Sequence, residues 1–280
     1  MSQRIIARFC IYFIPLSNII IPPFSSKVSR TIFMRIFHEK IEKIVNERSA
    51  FKSIIFTPVY WIEGEKFLFK SNDSNKILML KENNEYCFYV TMVRNYDEIF
   101  SFIQDFNLGS ELELFNGKIV IENLSLEFKT FENIKIEDKE LIKINFRTPV
   151  LISFPKGWIK LNKKIPARHS LFPIPSFIIH GLAEHWNIYA PDDLKIPNVA
   201  KLRAYSNYSL VEQDYDVKPI TVIYDEKRKP RGFIGWVLYK HRKLNQELDN
   251  HIIRLLDYAN YVGIGRSRSI GFGVVKVEPK

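Results

Sequence analysis

The chain has 280 residues, 46% hydrophobic and 14% aromatic, with a net charge of +10. That is ample for a sizeable core in one or two domains, and the charge selects nucleic acid or an acidic surface as partner while saying nothing of fold. Two cysteines, Cys10 and Cys87, each lie in an apolar strand-like run. They read as buried reduced thiols of a cytosolic protein, which excludes a disulfide framework.

In chain order, the apolar stretch 5–21 is interrupted by Arg8, Pro15 and Asn18, and no small-residue cleavage site follows. It reads as a buried first strand near 4–14, not as a signal peptide or membrane span. A helix is predicted over 26–47, then strands near 52–62, 66–69, 77–80 and 86–93. A short helix over 96–106 and extended segments over 111–131 complete the first half. The order is β-α-β-β-α-β with added hairpin strands.

The second half repeats that order. A strand is predicted near 141–152, and a helix over 176–189 is opened by Pro173 and Pro175 and closed before Pro191. Strands near 201–211, 219–224 and 232–239 follow. The last helix, 246–261, has Asn245 as its cap, Glu247 and Asp249 in its first turn and Gly263 past its end. Leu248, Ile252, Leu255, Leu256 and Ala259 form its apolar stripe. A final strand covers 273–277. The expectation is an α+β chain of two tandem ferredoxin-like (βαββαβ) domains with antiparallel sheets, residues 1–135 and 140–280.

Between that last helix and strand lies Gly263-Ile264-Gly265-Arg266-Ser267-Arg268-Ser269-Ile270-Gly271-Phe272-Gly273, which holds four of the chain's 11 glycines. Glycine allows φ > 0 and a close backbone approach, and arginine offers a planar fork for phosphate oxygens. The segment reads either as a grip on a polyanion backbone or as a flexible basic turn. It is neither a P-loop nor a dinucleotide fingerprint, because it follows a helix and lacks the Gly-Lys-Ser/Thr ending.

On the first helix, Val28, Ile32, Phe33, Ile36, Phe37 and Ile44 gather on one side. Lys27, Thr31, Arg35 and His38 gather on the other, and Arg30 sits at the edge. The basic side is either a solvated face or part of a site. Lys52 opens a return strand that can bring it toward Lys27 and Arg30. The run Lys227-Arg228-Lys229-Pro230-Arg231 is a turn ahead of a strand, placed to lie beside the glycine segment. A third basic region, Lys156, Lys160, Lys163, Lys164 and Arg168, is mixed with Phe154 and Trp158, a combination that suits single-stranded RNA. No Cys-x-x-Cys or His-Glu-x-x-His spacing is present, and His180 and His185 diverge on a helix. No metal or cofactor is expected, and the chemistry falls to cations and histidine.

Four features carry a resemblance. They are the glycine segment ending in Gly271-Phe272-Gly273-Val274-Val275, the lead-in Ile21-Pro22-Pro23-Phe24-Ser25-Ser26-Lys27, Phe146-Arg147-Thr148-Pro149, and Pro173-x-Pro175 before a helix ending near Trp186-Asn187. In these the chain resembles the CRISPR-associated endoribonucleases that cut precursor CRISPR RNA within its repeats, of the repeat-associated mysterious protein superfamily. The resemblance implies two ferredoxin-like domains and metal-independent cleavage. The ribose 2′-hydroxyl attacks the adjacent phosphate, leaving 2′,3′-cyclic phosphate and 5′-hydroxyl ends.

Many members use a first-helix histidine as base. Here that is His38, which lies deep in the helix. Others rely on lysine and arginine, and Lys27, Arg30 and Lys52 fit such a cluster, with Arg231 and Arg268 from the second domain. RNA contacts are expected from Gly263, Gly265, Arg266, Gly271, Gly273, Lys227, Arg228, Lys229, Lys163 and Lys164. The implied partners are CRISPR repeat RNA and a CRISPR effector complex, with no membrane, for a cytoplasmic monomer or homodimer. The alternative is a non-catalytic RNA-binding subunit of an effector complex.

Overall fold

A computed structural model describes residues 3–46, 51–72, 74–103, 109–154 and 168–280, apart from the side chains of residues 38–40, 43, 45 and 46. The first half contains β1 (Arg4–Pro15), β2 (Ile19–Ile20), α1 (Ser26–Asn46), β3 (Ile54–Phe56), β4 (Tyr60–Trp61), β5 (Lys66–Phe67), β6 (Met79–Leu80), β7 (Tyr86–Asn95), α2 (Tyr96–Ile103), β8 (Glu111–Leu114) and β9 (Gly117–Thr130). The second contains β10 (Leu141–Val150), β11 (Ile152–Ser153), β12 (His169–Ser170), α3 (Pro175–Tyr189), α4 (Val199–Ser209), β13 (Leu210–Thr221), β14 (Arg231–His241), α5 (Gln246–Val262) and β15 (Val275–Pro279).

Each half is an antiparallel ferredoxin-like sheet. The first runs β5-β4-β7-β1-β9-β8, with β3 also on β7, and the second runs β13-β14-β10-β15. In both, the first and third principal strands are central and the second and fourth flank them. Alternation decides which face is covered. Phe9, Ile11 and Phe13 of β1 are buried in one cluster with Val28, Ile32, Phe33, Phe37 and Ile41 of α1, and Phe9 meets Phe33 at 5.7 Å between ring centroids. Burial of each such side chain contributes about 1.5–3 kcal/mol. The predicted face of α1 holds, with Ile36 and Ile44 at its partly buried margin.

Three predicted strands are corrected. The strand expected over 52–62 is split, because Pro58 has no N–H to continue the ladder and Val59 turns its N–H to Ser25 Oγ at 2.9 Å. The strand expected over 201–211 is mostly α4. Asn198 caps that helix by accepting from Lys201 N, and Leu202, Ser206 and Ser209 are buried at helical spacing. Tyrosines favour strands, but the residues around Tyr205 and Tyr208 follow the period of a helix. Of the expected strand over 219–224, residues 219–221 are the far end of the single long strand β13 and the rest lies outside it.

The halves share apolar surface. Ile6, Ile55 and Val93 of the first belong to the same buried cluster as Trp186, Tyr258 and Val262 of the second. Ile134 and Ile136, beside the expected junction, are buried in that cluster too, and Lys135 N donates to Asp257 Oδ2 at 2.8 Å. A second seam joins Phe24 with Leu151, Val222, Tyr224 and Phe272. Cys10 and Cys87 are buried free thiols. Among the described residues no helix is long and apolar enough to cross a membrane.

Candidate active site

The glycine segment is a folded turn docked onto the start of α1. Gly263, Gly265, Gly271 and Gly273 all have positive φ, as does Ser267. The close approaches they allow are to the protein's own chain. A Cβ on Gly273 would stand 1.9 Å from Ile264 O, and one on Gly271 2.8 Å from Ser26 Cβ. These glycines shape the turn. What the turn presents outward is Arg266 and Ser267, both exposed. Among the described residues the N–H groups of Ser267, Arg268 and Ser269 donate to no backbone carbonyl. Successive unpaired N–H groups at a left-handed residue favour an anion.

Docking is specific. Ser26 Oγ donates to Ile270 O at 2.7 Å, and Thr148 Oγ1 donates to Gly271 O at 3.0 Å while accepting from Val274 N at 2.9 Å. Phe24 stacks on Phe272. Lys27 follows Phe24 by three residues, so fixing that ring also fixes Lys27, whose Nζ lies 4.8 Å over the Tyr224 ring. Arg228 covers the same ring at 4.4 Å, and Asp225 holds Arg228 through a 2.7 Å bond from Nε. The Asp225 carboxyl also accepts from Lys227 N and Arg228 N, and these bonds hold it below the usual carboxylate range. Burial raises the Tyr224 phenol, with Arg228 and Arg30 opposing.

Three cavities run together across this surface. The first, about 680 Å³, is lined by Lys27, Lys227 and Arg228 among others. The second, about 460 Å³, has His169, Tyr224, Arg228, Lys229, Arg266 and Ser267 on its walls. The third, about 550 Å³, brings together Lys52, His180, Arg266, Ser267, Arg268 and Ser269. Arg228 is common to the first two, and Arg266 and Ser267 to the last two. The result is one basic trough that passes over the tip of the glycine turn.

The predicted residues divide along it. Lys27, Arg30, Lys227, Arg228 and Lys229 gather around Tyr224 at one end. Lys52 is at the other end and shares neither cavity with Lys27. The return segment does run back along α1, but Val59 reaches the helix start. Lys52 lies seven residues upstream, where its carbonyl is 3.3 Å from His185 Nε2 on α3. Arg268 is buried beneath the turn, with Nη1 3.4 Å from Gly263 O, and burial lowers its guanidinium to about 10, still charged at neutral pH. Arg231 is exposed at the start of β14 and is not among the residues lining the trough. His38 lies in α1, about 16 Å along the axis from Lys27. Its side chain is outside the described residues, as are Lys163 and Lys164.

Sequence reasoning missed Tyr224, His169 and His180. Tyr224 stands just before the basic run, an aromatic-plus-cation signal that was readable. The histidines were weighed solely as metal ligands. Burial lowers both, His169 with help from Arg266 and His180 with help from Arg203, so both rings are neutral at pH 7. His185 is fully buried, 2.7 Å from Tyr258 OH, and is also held neutral by burial. A further cavity, about 360 Å³, lies between the halves and is lined by Arg8, Tyr89, Arg147, Tyr261 and Lys276. Arg147 stacks there on Tyr60 and Phe67 at 4.8 and 5.0 Å. Among the described residues no three His, Cys, Asp or Glu side chains converge as a metal site.

The family model for the Cas6 N-terminal domain matches residues 7–129, and the model for the CRISPR-associated endoribonuclease Cas6 matches residues 144–275. Two curated relatives from Saccharolobus solfataricus, CRISPR-associated endoribonucleases Cas6 1 and Cas6 2, are 25% and 27% identical, each over 95% of this chain and 93% of its own length. Among solved structures, Thermus thermophilus Cas6 is similar with a TM-score of 0.68 at 15% identity, over 99% of this chain and 100% of its own. A RAMP protein binding different RNA substrates is similar with a TM-score of 0.54 at 15% identity, over 97% and 99%.

Proposed function

The chain belongs to the Cas6 family of CRISPR-associated endoribonucleases, and from that premise we propose that it cuts repeat RNA on the trough over the glycine turn, without a metal ion, by attack of a ribose 2′-hydroxyl. The products are a 2′,3′-cyclic phosphate and a 5′-hydroxyl. The observation that carries this reading is the third cavity, where Lys52, Arg266 and Arg268 surround unpaired backbone N–H groups.

In-line attack puts extra negative charge on the phosphorus oxygens. Donors fixed before the reaction stabilise that charge without reorganising. The N–H groups of Ser267 and Ser269, with the Lys52 ammonium, serve as those donors. Arg268 acts from below, holding the turn and adding positive potential. Arg266 grips the neighbouring phosphate. Toward α1, Lys27, Arg30, Arg228 and Lys229 track the RNA backbone, with Arg231 as a solvent-facing addition. Such contacts position the strand and set its salt dependence. The domains of this account are 1–135 and 140–280, and the RNA bridges them.

The test is cleavage of labelled repeat RNA in EDTA, beside an RNA carrying a 2′-deoxy at the cut position. One cut, abolished by the deoxy substitution and leaving a cyclic phosphate, is expected. A cut that survives the deoxy substitution overturns the chemistry. Binding without cutting favours an RNA-holding role in an effector complex.

A further inference from the structure

The proposed reaction needs a group to take the proton of the 2′-hydroxyl, and an ammonium or guanidinium cation carries no lone pair to take it. The cavity that holds Lys52 also has His180 in its wall, on α3. Its Nδ1 is buried and makes no hydrogen bond among the described residues. A buried ring nitrogen without a partner is a cost to folding, and such groups concentrate where chemistry is done. Neighbouring His185, by contrast, is tied to Tyr258 and has a structural role.

Resting on the function proposed above, we infer that His180 is the general base of this site. The 2′-hydroxyl proton passes to the ring's other nitrogen, Nε2, as the 2′-oxygen bonds to phosphorus. The bond from phosphorus to the 5′-oxygen breaks, and the leaving oxygen takes a proton from the Lys52 ammonium. The imidazolium and the lysine amine then exchange protons with water, which restores both.

Charge around the ring suits the role. Glu184, one turn along α3, favours the protonated ring, while Arg203 on α4 disfavours it. Lys52, Arg266 and Arg268 face the same cavity from the other elements. With burial added, the ring is held below its ordinary value of 6.5. It therefore stands ready as a base at neutral pH.

The experiment is single-turnover cleavage of repeat RNA in EDTA from pH 5 to 8.5, with RNA affinity measured in parallel. It compares the wild type with His180→Ala and His180→Gln. Both variants are expected to bind within about twofold of wild type and to cut at least ~10²-fold more slowly. Added imidazole restores part of the rate to His180→Ala. The wild-type rate falls as pH drops below 6.5, and the residual variant rate lacks that limb. Cutting within threefold of wild type, or a slow variant with the wild-type pH limb and no imidazole rescue, overturns the role of His180. A wild-type protein that binds and never cuts overturns the proposed function and this inference with it.

Discussion

Phe24, two residues before α1, lies flat on Phe272 of the glycine turn, with ring centroids 4.5 Å apart and an interplanar angle of 9°. This stack joins residues 248 positions apart and connects the lysine-bearing end of α1 to the arginine-bearing turn. Phe272→Ala removes a buried ring at a cost of about 3–5 kcal/mol. We expect a lower Tm by calorimetry and weaker RNA binding, since Lys27 and Arg266 lose their common frame. An unchanged Tm would show that the seam does not hold the halves.

Gly271→Ala separates geometry from burial. The added Cβ would stand 2.8 Å from Ser26 Cβ, at φ +94°. The turn then has to lift from α1. Cleavage is expected to fall by more than tenfold while far-UV circular dichroism remains that of the wild type, and unchanged cleavage would contradict the docking account.

Arg266 is exposed at the crest of the trough and bonds Ser153 Oγ at 3.3 Å. If it contacts one phosphate, Arg266→Ala weakens RNA binding and reduces the slope of log K against log salt by about one. A titration series from low to moderate salt reads both quantities. Unchanged affinity would remove the turn from the RNA path.

Acid should destabilise the fold in a defined window. His169, His180, His185 and His251 are all held below 6.5 by burial. The unfolded chain therefore takes up more protons than the native one as pH falls through and below 6.5, so stability is complete above that value and is lost beneath it. Tm is expected to be level from pH 8 to 7 and to drop toward pH 5. His185→Gln lowers Tm at pH 7 and makes the descent shallower.

Much of the fold was legible because periodicity is a direct consequence of burial. Val28, Ile32, Phe33 and Phe37 repeat with a helical period and are the side of α1 that the sheet covers. Asn245 and Gly263 mark both ends of α5 in the sequence and in space. In the segment that forms α4, Tyr205 and Tyr208 favour a strand locally, while the contact that decides the issue is remote. Tyr205 OH and Ser209 Oγ both bond Asp249 on α5, at 2.7 and 2.9 Å.

The site was legible in its residue types and less so in its geometry. A basic run next to a glycine turn is a local signal, and Arg228 and Arg266 do share the trough. The separation of Lys27 from Lys52 depends on where Pro58 interrupts the return strand and on α3, with which the Lys52 carbonyl makes contact. His180 became visible when the fold set α3 opposite the turn, because nothing in its sequence neighbourhood marks it.

The central claim is that the cut is made beside Lys52, on the far side of the turn from Lys27. The most direct measurement is single-turnover cleavage and RNA affinity of Lys52→Ala set against Lys27→Ala. The account predicts that Lys52→Ala binds as the wild type does and loses ~10²-fold or more in rate. Lys27→Ala is predicted to bind more weakly and to cut at nearly the wild-type rate once saturated. Wild-type cutting by Lys52→Ala, with the rate lost instead in Lys27→Ala, would contradict the claim and move the reaction to the α1 end of the trough.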